Sequence, residues 1–348
     1  MYFNKFSIII CCYNEEANIK NLIISLSKIN YDIENFEIII VDDGSIDKTL
    51  NLTNRYAQKY LDLHKINVFS INHSGLSIAR NTGYFISKYN YCLYCDADAM
   101  IDSNILYEYN LAILNKSDYI YTGKVINLNN NKTISNIIFN THNEPSLFFA
   151  ENKLIGANML LNKKLISEKF PFFDSFKARG DETAMFLSIQ KNYNINNAFY
   201  VNRAIVKNET SENFSEWFKK MFVEGSNNRI LINYFEDSKL KKLIYSLFKI
   251  NTPLVFIIFL FSIILNNYFT LIVSFFIFLI RMNSRKKYLL RGLKNNFRIK
   301  YYYTFFSFFI SIFGVIISDI GYAKTFFMNN KMTNLRSKAL KIKKIEIS

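Results

Sequence analysis

Asp96-Ala97-Asp98 sets two carboxylates one residue apart at the end of the apolar run Tyr91-Cys92-Leu93-Tyr94-Cys95. Acids this close repel each other unless a cation or strong donors lie between them. An oxygen-only pair suits a hard divalent ion, Mg2+ or Mn2+, and such ions commonly carry diphosphate substrates. Taken alone, an Asp-x-Asp is also an ordinary polar loop after a strand, so its neighbours decide. Two further polar clusters follow apolar runs in the same manner: Tyr13-Asn14 after Phe6–Cys12, and Asp42-Asp43-Gly44-Ser45 after Phe36–Val41.

The runs that carry these clusters alternate with segments of helical spacing. Ile19, Leu22, Ile23 and Leu26 recur on one helical face, with Glu15 and Glu16 at its N-terminus. A helix is expected over about 46–61, a strand over about 66–71, another helix over about 77–88, and a strand over 91–95. Strands and helices in alternation imply an α/β fold, a mostly parallel sheet covered by helices on both faces. Ligands bind such sheets at the carboxyl ends of the strands, where all three clusters fall. The turn after the first strand reads Cys12-Tyr13-Asn14-Glu15 and holds no glycine, which excludes a dinucleotide-binding fingerprint and a P-loop. A nucleotide would be held here by carboxylates and a metal.

Four segments stand in order: Ser7 to Glu16 (SIIICCYNEE), Val41 to Ser45 (VDDGS), Gly75 to Gly83 (GLSIARNTG) and Asp96 to Asp98. Together they resemble family 2 glycosyltransferases of the GT-A fold, over roughly residues 5–205. Cys11-Cys12 stands where that family often has Pro-Thr. The resemblance implies that Tyr13 stacks on the base, that Asp42 or Asp43 accepts from base or ribose, and that Glu15 lies on the nucleotide side. It places Arg80 on the diphosphate, Asp98 directly on the metal, and Asp96 on the ribose or a metal-bound water. A later segment, Phe172 to Thr183 (FFDSFKARGDET), resembles the family's second acidic motif, whose usual order is Glu-Asp. By position Glu182 matches the catalytic base, while the swapped order keeps Asp181 a candidate. Both acids also suit the start of a helix at about 182–192. Gly156 and Asn158 fall in a loop expected on the acceptor side. The chemistry implied is one in-line displacement that inverts the anomeric carbon. The Gln-x-x-Arg-Trp signature of processive members is missing, since Trp217 sits in Ser-Glu-Trp-Phe-Lys-Lys, so transfer of one or a few sugars is expected.

Charge divides the chain of 348 residues. Residues 239–348 hold 19 Lys/Arg against 2 Asp/Glu, whereas residues 1–238 hold 24 against 26. The net +15 is therefore confined to the part with long apolar runs, which points to an anionic membrane leaflet and away from nucleic acid. Two regions are expected: a GT-A domain over 1–238 and a membrane-associated region over 239–348. Leu254–Ile280 is apolar except for Asn266-Asn267. One straight helix of that length would run about 40 Å and bury two amides in a ~30 Å core. A hairpin over about 251–280 turning at the asparagines removes both difficulties and is preferred to a single span. Over about 284–300, Leu290, Leu293 and Phe297 share one helical face and Lys287, Arg291, Lys294 and Arg298 another. That suits a surface-lying basic helix, with a plain basic loop as the alternative. An apolar segment over about 301–322 and a basic tail follow, and the topology beyond residue 300 stays open.

Cys11, Cys12, Cys92 and Cys95 lie in expected strands, and His64, His73 and His142 are scattered, so the cysteines read as core residues and not as zinc ligands. Nothing calls for an oxidising compartment, and the first apolar run is too short for a cleavable signal peptide. The expectation is a cell-membrane enzyme with a cytoplasmic catalytic domain. It would move a sugar from a nucleotide-diphospho-sugar to a lipid-linked or glycan acceptor, with Mg2+ or Mn2+. The alternative is a membrane-anchored nucleotide-binding scaffold without transferase activity, which would have no use for Asp181 and Glu182.

Overall fold

The computed structural model describes residues 3–61, 66–116, 120–127, 154–166, 171–174, 180–193, 195, 198–208, 214–235, 258, 261–284, 316–324 and 343–345. Expected features within 285–315 and most of the basic tail lie outside the described residues. By contact the chain forms two compact units. The first comprises Met1–Leu128, Pro145–Glu209 and Thr333–Ser348; the second comprises Asn129–Glu144 and Thr210–Met332.

The first unit is built on a sheet whose strands run in the order β5-β8-β6-β7-β4-β1-β2-β3-β9. These are β1 (Phe6–Cys12), β2 (Phe36–Asp42), β3 (Ile66–Ser70), β4 (Tyr91–Asp96), β5 (Ala99–Ile101), β6 (Ile120–Asn127), β7 (Asn158–Asn162), β8 (Ala198–Asn208) and β9 (Lys343–Ile345). β1 is a run of Ile and Cys buried on both faces, which makes it a central strand, paired in parallel with β2 and β4. β2–β3 and β6–β8 are parallel too. β3–β9, β4–β7, β5–β8 and β6–β7 are antiparallel, so the sheet is mixed. The strand–helix alternation of residues 6–96 gives four strands of one direction; beyond it β6 and β8 run the same way, and β5, β7 and β9 are reversed.

Residues alternate along β1 between two cores. Ile8 and Ile10 join Leu22 and Leu26 of α1 (Ile19–Leu26) and Ala57 of α2 (Thr49–Tyr60). Ile9 joins Ala79 and Tyr84 of α3 (Leu76–Ile86) and Met185 and Ile189 of α5 (Asp181–Tyr193). α4 (Ile105–Asn115) adds Leu106 and Tyr109 to the first core. Burying both faces of a β-branched strand makes the sheet the middle of three layers, and its strand ends become the rim where polar groups collect. The cysteines are unpaired; Cys12, Cys92 and Cys95 are buried, as small apolar side chains are.

The second unit contains α6 (Phe214–Phe235), α7 (Tyr268–Ser284) and a helical stretch at 316–324. α6 crosses that stretch backbone to backbone. A Cβ added at Gly225 would overlap the Ser318 carbonyl, and one added at Gly321 would overlap the Phe222 carbonyl. Ser226 Oγ donates to Gly321 O across the crossing. Small residues are what allow two helices to approach this closely. Among the described residues no helix is long and apolar enough to cross a membrane.

Candidate active site

The turn after β1 is held by the loop after β2. Asn14 takes φ +57, its N–H donates to Ser45 Oγ, and its Oδ1 accepts from the Ile46 N–H. Glu15 N–H donates to Thr49 Oγ1, while Glu15 Oε2 accepts from Asn18. Tyr13 stands exposed above this clamp, its ring stacked on His73 with centroids 4.1 Å apart. His73 lies just beyond β3, and its Nδ1 is 3.0 Å from Asp43 Oδ2. The sequence reading missed His73, although it follows a strand end like the other clusters; that position is the signal that was available.

Asp42 and Asp43 share a strand end but differ in task. Asp42 is buried and accepts from Ser70 Oγ and the Ser45 N–H, which ties β2 to β3. Asp43 accepts from the N–H groups of Ser74 (2.8 Å) and Gly75 (2.9 Å), the residues that lead into α3. Burial pushes the Asp43 carboxyl up from its ordinary pKa, and the two N–H donors and His73 oppose that shift. Gly75 caps α3 at φ +100, a backbone state that side chains disfavour, so glycine is required for its N–H to face Asp43.

Arg80 organises the opposite side of the site. It is only 4% exposed, so it is not the open diphosphate ligand the motif suggested. Its Nη1 donates to Asp181 Oδ2 at 2.7 Å, and its Nη2 donates to Asp96 Oδ1 at 3.3 Å and to Gly156 O at 3.2 Å. Glu182 Oε2 lies 3.9 Å from Nη1. Next to it, Asn81 Nδ2 donates to Phe172 O and the Phe172 N–H donates to Asn81 Oδ1. Adjacent residues of α3 thus grip both the Asp-x-Asp turn and the segments leading into α5.

Asp181 and Glu182 open α5 with unequal access. Asp181 is fully buried against Arg80, whereas the Glu182 side chain is 23% exposed. Burial, the Asp181 charge and a hydrogen bond with the Asp181 carboxylate hold the Glu182 carboxyl well above the usual carboxylate range, with Arg80 pulling the other way. A raised pKa on the accessible acid is a proton-accepting arrangement.

Asp96 and Asp98 flank the turn between β4 and β5, both half-buried. Their hard oxygen donors fit Mg2+ or Mn2+. Among the described residues no cluster of three or more His, Cys, Asp or Glu could hold a metal, so substrate oxygens and water would complete the shell. Gly156 reaches the site through its carbonyl on Arg80. Asn158 does not. It is fully buried; Oδ1 accepts from Tyr109, and Nδ2 donates to the carbonyls of Lys124 and Ala204, beside the register shift between β6 and β8. It plugs that irregularity from within the core.

The fold and site define an α/β domain with nucleotide-binding geometry and paired acids at its strand ends. Residues 7–170 match the family Glycosyl transferase family 2. The chain is 32% identical over 183 residues to a poly(ribitol-phosphate) beta-glucosyltransferase of Bacillus spizizenii, covering 51% of this chain and 28% of that protein. It is 34% identical over 117 residues to a cholesterol galactosyltransferase of Borreliella burgdorferi, covering 33% of this chain and 31% of that one. The chain therefore spans about a third or less of the length of these relatives. Its fold is similar to that of the mannosyltransferase PcManGT of Pyrobaculum calidifontis, solved with GDP-Man and Mn2+, at TM-score 0.57 and 13% identity, covering 95% of this chain and 89% of the other.

Proposed function

We propose that the chain is an inverting, metal-dependent glycosyltransferase that moves a sugar from a nucleotide-diphospho-sugar to a lipid-linked or glycan acceptor at the cell membrane, its catalytic domain cytoplasmic. The observation that carries this reading is the convergence of Asp96, Asp181 and Glu182 on one buried arginine inside a family 2 domain. Tyr13 and His73 offer a stacking surface for the base, and Asp43 an acceptor beside it. Asp98 and Asp96 would hold Mg2+ or Mn2+, which supplies charge neutralisation for the departing diphosphate. Glu182 takes the proton from the acceptor hydroxyl as that oxygen attacks, and Asp181 stays locked on Arg80. The two curated relatives are named for a polyol-phosphate polymer and for a sterol, which supports a polymeric or lipid acceptor in cell-surface assembly.

The test is a panel of nucleotide-sugars with Mn2+, read as donor hydrolysis and transfer. Glu182→Gln is expected to lose turnover by about 10²-fold or more while donor affinity holds, the signature of a lost base. Undiminished kcat in Glu182→Gln, with loss in Asp181→Asn instead, reassigns the base to Asp181.

A further inference from the structure

The segment around Asn266-Asn267 arranges its polar and apolar groups inside out. Residues 261–264 and α7 form two helical arms joined at Asn266, which takes φ +50. The Asn266 N–H donates to Ile263 O and the Asn267 N–H to Ser262 O, the paired bonds of a left-handed helix close. Asn267 Oδ1 then accepts from the Thr270 N–H and caps α7. Hydroxyls turn inward as well. Ser262 Oγ lies 2.8 Å from Thr270 Oγ1 across the arms, and Ser274 Oγ donates to Leu271 O. Ser262 and Ser274 are buried, yet Phe261, Ile264, Leu265, Tyr268, Phe269 and Phe276 are 58–77% exposed. In water the reverse distribution is favoured; in hydrocarbon every polar group needs an internal partner.

Several features select lipid as the covering medium. On α7 the exposed residues Tyr268, Phe269, Ile272, Val273, Phe275, Phe276 and Ile277 sweep an arc of about 200° at 100° per residue. A docked protein covers one stripe, while acyl chains surround the helix. Residues 250–280 hold no charged side chain; Lys239, Lys241, Lys242 and Lys249 precede them, and Arg281, Arg285, Lys286 and Lys287 follow. Cationic collars at both ends match anionic headgroups at one surface. α7, 17 residues long, runs about 25 Å as a helix, short of a ~30 Å core. The chain also leaves the first unit after Glu209 and rejoins it at Thr333, with β9 paired to β3. Both ends of the excursion therefore join the first unit.

We propose that the helical hairpin closed at Asn266 inserts into one leaflet of an anionic bilayer without crossing it, as a monotopic anchor with both basic collars on the side of the catalytic unit. This deepens the membrane half of the function proposed above and rests on that half alone, not on the transfer chemistry. The experiment uses the full chain with vesicles of phosphatidylcholine, with or without a minor share of phosphatidylglycerol, and reads flotation. Binding is expected to be about tenfold or more tighter on the anionic vesicles. Ile264→Asp with Phe269→Asp is expected to weaken it about a hundredfold with circular dichroism unchanged. Lys249→Cys and Ser284→Cys are each expected to react with an impermeant maleimide added outside preformed vesicles. Undiminished binding by the double variant, or protection of one flank, overturns the proposal. So does a wild-type chain that ignores both vesicles and forms a dimer that the double variant dissolves, since the hairpin is then a contact between copies. All these readouts are of binding, so a failure of the transferase assignment is seen separately.

Discussion

Arg80 unites acids that lie 16 and 101 residues from it in the chain, Asp96 and Asp181. A buried ion pair is worth little against an apolar replacement of the whole pair, but removing one partner strands the other charge. Arg80→Met is therefore expected to destabilise the domain by about 3–5 kcal/mol, measured by chemical denaturation, with Arg80→Lys intermediate because an ammonium cannot reproduce the forked contact. The pair also tunes Glu182. Since Glu182 acts ionised and its pKa is raised in the folded protein, kcat/KM is expected to fall as pH drops through a limb above the ordinary carboxylate range. Asp181→Asn removes the neighbouring charge and frees Arg80 to lean on Glu182, so the limb should move to lower pH. A limb that stays in place in Asp181→Asn would show that another group sets it. Of this site, the sequence made residue types and strand ends legible: Tyr13, Asp42, Asp43, Asp96, Asp98 and the acids opening α5. It could not show burial, and burial turns Arg80 from an expected diphosphate ligand into an internal tie. Burial likewise makes Asn158 a core plug and not an acceptor-side residue.

Elements were legible where hydrophobic period and strand ends agree. The strands of residues 6–96 and the helices between them stand close to their expected bounds, because each buries both faces or one clear stripe. The other half was not legible: β6, β7 and β8 pair across long separations, β7 reversed between two strands of the common direction, and no local signal encodes strand direction. Asn266-Asn267 is the opposite case, since two asparagines in an apolar run mark a turn that one residue closes and the next opens. The close crossing of α6 on 316–324 yields a prediction at this scale. Gly225 faces the Ser318 carbonyl, a backbone group that cannot rotate away. Gly225→Val is expected to separate the helices and cost about 1–3 kcal/mol. The fall should appear in thermal denaturation of the full chain, while donor binding by the first unit is retained. An unchanged melting temperature in Gly225→Val would mean the two helices do not touch at that point.

At the scale of the whole molecule, charge and connectivity meet in the C-terminal tail. The basic excess lies beyond residue 238, yet the chain does not end in the second unit. Lys343–Ile345 returns as β9 and pairs with Val68, Phe69 and Ser70 at the open edge of β3. An uncovered strand edge is a template for pairing with another chain, and lysines on an edge strand discourage such pairing. Lys343 and Lys344 therefore serve the sheet as well as the charge balance. A chain ending at Met332 is expected to lose about 1–2 kcal/mol from the three missing cross-strand pairs. It should also aggregate faster at equal concentration, followed by light scattering. Lys343→Ala with Lys344→Ala keeps the backbone pairing and removes only the charge. That variant should hold its melting temperature while aggregating faster than the native chain. If the shortened chain matches the full one in both stability and scattering, β9 does not protect the edge and the tail's charge acts elsewhere.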